Sequence, residues 1–262
     1  MKKNSHIPKG YLFSSAEAAI KKPGRKDIAL IYSEAEANIA GAFTTNKVKA
    51  APVKLDIKKI KSGRGQAIIV NSGNANACTG KTGMKDADEM SGLAAKNLRI
   101  NPSLVYVCST GVIGTPLPME RIRPKISELA LNIGKSHIDD VASAIMTTDT
   151  FPKIVSKKMR LGNKTGEIVG ICKGAGMIAP NMATMLCFIL TDIAVEKKTL
   201  SKALKDSVKK SFNRITIDGD MSTNDTVLMM ANASLGNPPL TANSRHYKTF
   251  RTALDEITYG LS

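Results

Sequence analysis

Aromatic residues are scarce in this 262-residue chain: six Phe, five Tyr and no Trp, 4% in all. A net charge of +16 would draw nucleic acid if its cations clustered on one face. They are spread instead, in pairs such as Lys21-Lys22, Lys157-Lys158, Lys197-Lys198 and Lys209-Lys210 that read as solvated faces. With no run of aromatics for bases to stack on, a nucleic-acid partner is not expected. Histidine is equally thin. His6, His137 and His246 sit outside every motif described below, which argues against a Ser-His-Asp arrangement and against a histidine-rich metal site. The four cysteines, Cys78, Cys108, Cys172 and Cys187, form no CxxC pair, and three of them lie in strand-like apolar runs as small hydrophobes. A reducing compartment suits them. No apolar run is long enough to span a bilayer, and the start MKKNSHIPKGYLF lacks the apolar core of a signal peptide. The expectation is a cytoplasmic chain with no membrane partner.

What is present is a chain that is 42% hydrophobic, enough for one sizeable core or two small ones. Strand-like runs fall at 27–32, 38–44, 66–70, 104–109, 167–172, 185–191 and 214–217. Helical patterns alternate with them. The 81–98 stretch carries Met84, Ala87, Leu93, Ala94 and Leu98 at mostly helical spacing, and 118–133 starts at a proline and stops before Gly134. Leu200, Leu204, Val208 and Phe212 make one stripe; Tyr247, Phe250, Leu254, Ile257 and Leu261 make another that runs to the end of the sequence. Such a stripe calls for a docked terminal helix or for a fold interrupted at that point. No internal repeat or linker divides the chain, and an α/β or α+β layered domain follows.

The stretch KGAGMIAPNMATML, residues 173–186, sets a glycine-rich turn and Pro180 before an Ala183-Thr184 bond that opens an apolar run. Threonine is a weak nucleophile without a neighbouring base, and the α-amine freed by cutting the chain before it is one such base. That amine titrates near neutrality, as a general base should. Thr184 is therefore a candidate self-generated nucleophile. The same residues also fit a buried strand that merely begins with a β-branched side chain.

Thr110-Gly111 follows the 104–109 strand and precedes a Gly-Pro turn, a place where backbone donors become free for a ligand; it also fits an ordinary tight turn. Lys173, eleven positions before Thr184, could bind a carboxylate as a point charge or be one more solvated lysine. Two other patterns fail. Thr79-Gly80-Lys81-Thr82 opens a helix as a phosphate loop would, but that loop wants glycine five positions before Gly80 and finds Ala75. Asp218, Asp220 and Asp225 lack calcium-loop spacing and read as structural hydrogen-bonding groups.

Taken in order, GRKDIALIYSEAEANIAGAFTTNKVKAAPV (24–53), VNSGNANACTG (70–80), CSTGVIGTPLPMERI (108–122), MTTDTFPK (146–153), KGAGMIAPNMATMLCFILTD (173–192) and DGDMSTNDT (218–226) resemble the ornithine acetyltransferase family, the bifunctional glutamate N-acetyltransferases of arginine biosynthesis. The resemblance implies a sandwich of helices around stacked sheets, as in other self-processing enzymes. It implies cleavage at Ala183-Thr184 into an α-chain region, 1–183, and a β-chain region beginning at 184 and covered here to 262. Thr184 is then the nucleophile, and Thr110 and Gly111 form the oxyanion hole. Lys173 and Thr150 contact substrate, with Thr147 and Thr148 in the same run.

The activity implied is transfer of acetyl from N-acetylornithine to glutamate through an acetyl-threonine ester. No cofactor is implied, acetyl-CoA being an additional candidate donor, and the expected assembly is a heterotetramer of two α and two β fragments. Family members continue well beyond position 262, where the resemblance places a glutamate and further polar residues; it therefore favours an interrupted fold at the terminal stripe. A related self-processing amidase or aminopeptidase, and a non-catalytic basic protein keeping the fold, are the alternatives.

Overall fold

The computed structural model describes residues 6–174, 185–214 and 222–262. Among these, eight strands join in one hydrogen-bonded sheet: β1 (Tyr11–Ala16), β2 (Ile28–Phe43), β3 (Arg64–Asn71), β4 (Val105–Ser109), β5 (Lys153–Leu161), β6 (Lys164–Lys173), β7 (Leu186–Thr191) and β8 (Thr226–Ala231). The order is β4-β3-β2-β8-β7-β6-β5, with β1 paired antiparallel to β2. Six helices accompany them: α1 (Ala51–Lys59), α2 (Gly80–Leu98), α3 (Met119–Leu131), α4 (Ile138–Ala144), α5 (Lys197–Lys210) and α6 (Tyr247–Leu261).

Strand alternation shows how this sheet is layered, because successive side chains point to opposite faces. On β3, Ile68 and Val70 face one core and Ala67 and Ile69 another. On β7, Leu186, Phe188 and Leu190 join the core of Ile68, while Cys187 and Ile189 face a third. The two halves of the sheet thus share a middle core. The outer face of β1 to β4 is covered by α2 and α3 through Met90, Ala94, Ile122 and Ile126. The outer face of β5 to β8 is covered by α5 and α6 through Leu204, Val208, Leu254 and Ile257. The result is a layered α/β sandwich, with α2, α3, α5 and α6 outside two stacked sheet halves and α4 packed on the middle core.

Strand β2 makes the turn between the halves. Ala29, Ile31, Ala37 and Ile39 all face the middle core, whereas Ile28 and Leu30 face the α2/α3 layer and Ala40 the α5/α6 layer. Its pairing with β3 shifts register between Tyr32 and Ala37, the place where it passes from one half to the other. The runs at 27–32 and 38–44 are therefore one strand. The polar segment between them reads like a loop in sequence, yet it contains neither glycine nor proline to break an extended chain.

The terminal stripe is docked. Phe250, Leu254, Ile257 and Leu261 are buried in the α5/α6 layer. A Cβ at Gly170 on β6 would meet Leu261 and Ile257 at 2.6 and 2.8 Å, so this glycine lets α6 lie close to the sheet. The strand read at 214–217 falls outside the described residues except for Arg214, which ends a short 3-10 turn. Among the described residues no helix is long and apolar enough to cross a membrane.

Candidate active site

The site forms where the middle core opens at the ends of β4 and β6. Asparagines shape its floor. After β3, the segment 72–78 folds against the turn that follows β4: Val112 N–H donates to Gly73 O at 3.2 Å and Ala75 N–H to Val112 O at 2.8 Å. Asn71 binds across it, donating from Nδ2 to Asn74 O at 2.9 Å and accepting from Ser109 Oγ at 2.6 Å. Asn74 Nδ2 closes the turn by donating to Thr115 O and Pro116 O. Asn and Gly in the run SGNAN signal a turn; which backbone groups they satisfy is a tertiary fact.

Thr110 and Gly111 lie at the centre of this arrangement. The Thr110 N–H is committed to Asn71 O at 3.0 Å. Its side chain, almost fully buried, accepts a hydrogen bond at 3.3 Å from Lys173 Nζ. Because the hydroxyl oxygen accepts from the ammonium, its own hydrogen is directed away from Lys173 and can serve an incoming oxygen. Gly111 has φ +136°, and a Cβ there would lie 2.3 Å from Gly73 C and 2.5 Å from Asn74 N. Only glycine lets the two loops meet at this distance.

Lys173, 2% exposed, ends β6. Burial lowers its pKa from the ordinary lysine range, and the Asp149 carboxylate is the foremost group opposing that fall. Asp149 also fixes the local backbone, accepting from Gly174 N–H at 2.7 Å and Thr147 N–H at 3.2 Å, while Lys153 Nζ donates to Gly174 O at 2.7 Å. Lys173, Thr110 and Gly111 line a cavity of about 590 Å³ together with Thr147, Thr148 and Met146. Lys21, Lys22 and Arg25 add cations to its wall. Its only carboxylate among the described lining residues, Asp27, is occupied by the N–H groups of Ala18 and Ile20 at 2.7 and 2.6 Å. The lining thus carries a net positive charge, which favours an anionic ligand.

Of the residues expected from sequence, Thr110, Gly111 and Lys173 come together. Thr150 is exposed and is not among the lining residues, whereas Thr147 and Thr148 of the same run are. Ala183 and Thr184 lie outside the described residues, as do Asp218 and Asp220 of the acidic cluster. The neighbours of 184 are informative all the same. Lys173 pairs with Leu186 in register, so the described ends of the 175–184 connection both reach the sheet beside Thr110. Met185 N–H donates to Asp225 Oδ1 at 3.0 Å. Asp225 is the structural hydrogen-bonding group expected from sequence; its partner lies 40 residues away, and no local spacing announces which group it holds.

A layered α/β sandwich with a buried lysine-hydroxyl pair opening on a cationic cavity is the class of protein these observations define. The chain belongs to the ArgJ family, whose sequence profile matches residues 12–262. It is 53% identical over 254 residues to the arginine biosynthesis bifunctional protein ArgJ of Geobacter sulfurreducens, covering 97% of this chain and 65% of that protein. Among solved structures, the arginine biosynthesis bifunctional protein of Bacillus halodurans superimposes with a TM-score of 0.62 at 38% identity, over 68% of this chain and 92% of that one. Ornithine acetyltransferase from Mycobacterium tuberculosis, complexed with ornithine, gives a TM-score of 0.56 at 33% identity, over 68% and 94%. The chain spans just under two thirds of the length of the curated relatives it matches.

Proposed function

We propose that this chain moves an acetyl group from N-acetylornithine to glutamate, in arginine biosynthesis, through an ester on Thr184 that becomes N-terminal when the Ala183-Thr184 bond is cut. The observation that carries this reading is the buried Lys173–Thr110 pair, 3.3 Å apart, on a cation-lined cavity where the strands flanking residue 184 begin and end. In the first step Thr184 Oγ attacks the acetyl carbonyl while its α-amine takes the hydroxyl proton. The Thr110 hydroxyl and the Gly111 N–H hold the oxyanion, and collapse expels ornithine, whose amine receives the proton. Glutamate then attacks the ester through its own amine and restores the threonine. Lys173 takes the substrate carboxylate, and the 147–150 run, in which Thr147 and Thr148 line the cavity and Thr150 does not, supplies the further substrate contact.

The names of the relatives support the reaction, and the solved relatives support division of the chain. Each solved chain is matched over more than nine tenths of its length by only 68% of this one, so each is shorter than 262 residues. On this reading two α and two β fragments assemble as a heterotetramer. The chemistry needs no cofactor, since nucleophile and donors all come from the chain, and acetyl-CoA is a second candidate donor. The free thiols of Cys108, Cys172 and Cys187 support a cytoplasmic setting.

Product analysis tests the reaction. Incubated with N-acetylornithine alone, the processed protein should release at most one equivalent of ornithine and stop. With glutamate added, N-acetylglutamate and ornithine should appear together and continuously. Steady release of acetate independent of glutamate would instead identify an amidase that passes the acetyl group to water.

A further inference from the structure

Asn224 and Asp225 have no part in the reaction as read above, yet they touch both halves of it. Asn224 Nδ2 donates to Ser109 O at 2.8 Å and to Ala75 O at 2.6 Å, holding the residue that precedes Thr110. Asp225 Oδ1 accepts the Met185 N–H at 3.0 Å, holding the residue that follows 184. Both are buried, at 6% and 0% exposure. The backbone around them is anchored: Thr44 N–H donates to Asp225 O and Ala50 N–H to Thr223 O, each at 2.9 Å, and Thr226 N–H donates to Met185 O at 3.0 Å.

Strands β4 and β7 do not pair; β3, β2 and β8 stand between them in the sheet. Consecutive Cα atoms are held about 3.8 Å apart across a trans peptide. Two adjacent residues that grip the ends of β4 and β7 therefore fix the separation of those ends more tightly than the sheet does. We infer that Asn224 and Asp225 are positioning residues, a clamp that sets the Thr110 end of β4 against the Met185 backbone at the start of β7. This rests on the reading of Thr184 as the nucleophile.

The state of the Asp225 carboxyl belongs to the same device. Its Oδ2 is buried without a hydrogen-bond partner among the described residues, a position an ionised oxygen would occupy only at high cost. Burial pushes the carboxyl up to about 8, against the opposing Met185 N–H and Lys173 charge. The charged groups facing it are Lys173 on β6 and, around Lys173, Asp149 and Lys153. Burial and the unpartnered oxygen thus favour the neutral acid at pH 7. Between about pH 4, where a free Asp ionises, and about pH 8, the folded chain keeps a proton that the unfolded chain has lost. Folding stability therefore falls as pH rises through that window.

Three variants test this. Asp225→Asn keeps the acceptor and the neutral charge, Asp225→Ala removes both, and Asn224→Ala frees Ser109. Asp225→Ala and Asn224→Ala should slow chain cleavage and lower kcat by about tenfold to a hundredfold with KM little changed, as expected for a displaced nucleophile. Asp225→Asn should keep most of the wild-type rate at pH 7 and should lose the decline in stability between pH 4 and 8. Infrared difference spectra of the wild type should show a protonated carboxyl band that titrates near pH 8 and is missing from Asp225→Asn.

The clamp is overturned if Asp225→Asn, shown folded by circular dichroism, is as slow as Asp225→Ala. It is also overturned if the variants raise KM at constant kcat, or if the wild-type band is absent. A Thr184→Ala chain that still transferred acetyl would remove the nucleophile reading while leaving the infrared result untouched.

Discussion

Replacing Thr110 by alanine should slow a fully processed enzyme by about a hundredfold or more while leaving the substrate KM nearly unchanged. The hydroxyl accepts from Lys173 Nζ, so its hydrogen is available to an oxygen that gains charge only during reaction. An interaction that strengthens in the transition state is lost from kcat rather than from binding. Thr110→Ser retains the donor and should retain much of the rate. Processing must be confirmed first, because the proposed cleavage of the Ala183-Thr184 bond would also pass through a tetrahedral oxyanion. A processed Thr110→Ala enzyme turning over at the wild-type rate would reduce the pair to an ordinary turn.

Gly111→Ala should be at least as damaging, and by a different route. The added methyl would sit 2.3 Å from Gly73 C and 2.6 Å from Gly73 O, atoms of a backbone tied down by the Asn71 and Asn74 bonds. The backbone at φ +136° is one that alanine does not adopt without strain of about 1–3 kcal/mol. The two loops must then separate, carrying Thr110 with them, and a displacement of about 1 Å can cost a hundredfold in rate. Activity and denaturation midpoint should therefore fall together in Gly111→Ala, whereas Thr110→Ala should lower activity with a much smaller change in midpoint. An unchanged midpoint in Gly111→Ala would show that the loops have room the structure denies them.

The contrast between these residues and their supports shows what a sequence makes visible. The layered fold was legible because the apolar runs that became β3, β4 and β7 and the stripes of α2, α5 and α6 carry their period within a few residues. Strand β8 was not, since TVLMMA follows a polar run and is buried on both faces, leaving no alternation to read. Strand β5 was hidden by its lysines, which an edge strand carries without penalty. At the site, Thr110 and Gly111 were visible as a strand end before a turn, and Lys173 as a cation beside a glycine-rich segment. The 3.3 Å contact between Lys173 and Thr110 joins residues 63 positions apart. Asn224 and Asp225 act through partners 115 and 40 positions away and Asp149 through one 25 away, and nothing in their spacing reveals these pairings.

The account turns on Thr184 becoming an N-terminus, and intact mass measurement under denaturing conditions addresses that directly. The protein should yield two fragments, the second beginning at Thr184 by N-terminal sequencing, and Thr184→Ala should stay whole and transfer no acetyl. A wild-type chain that remains a single species after prolonged incubation would contradict the account.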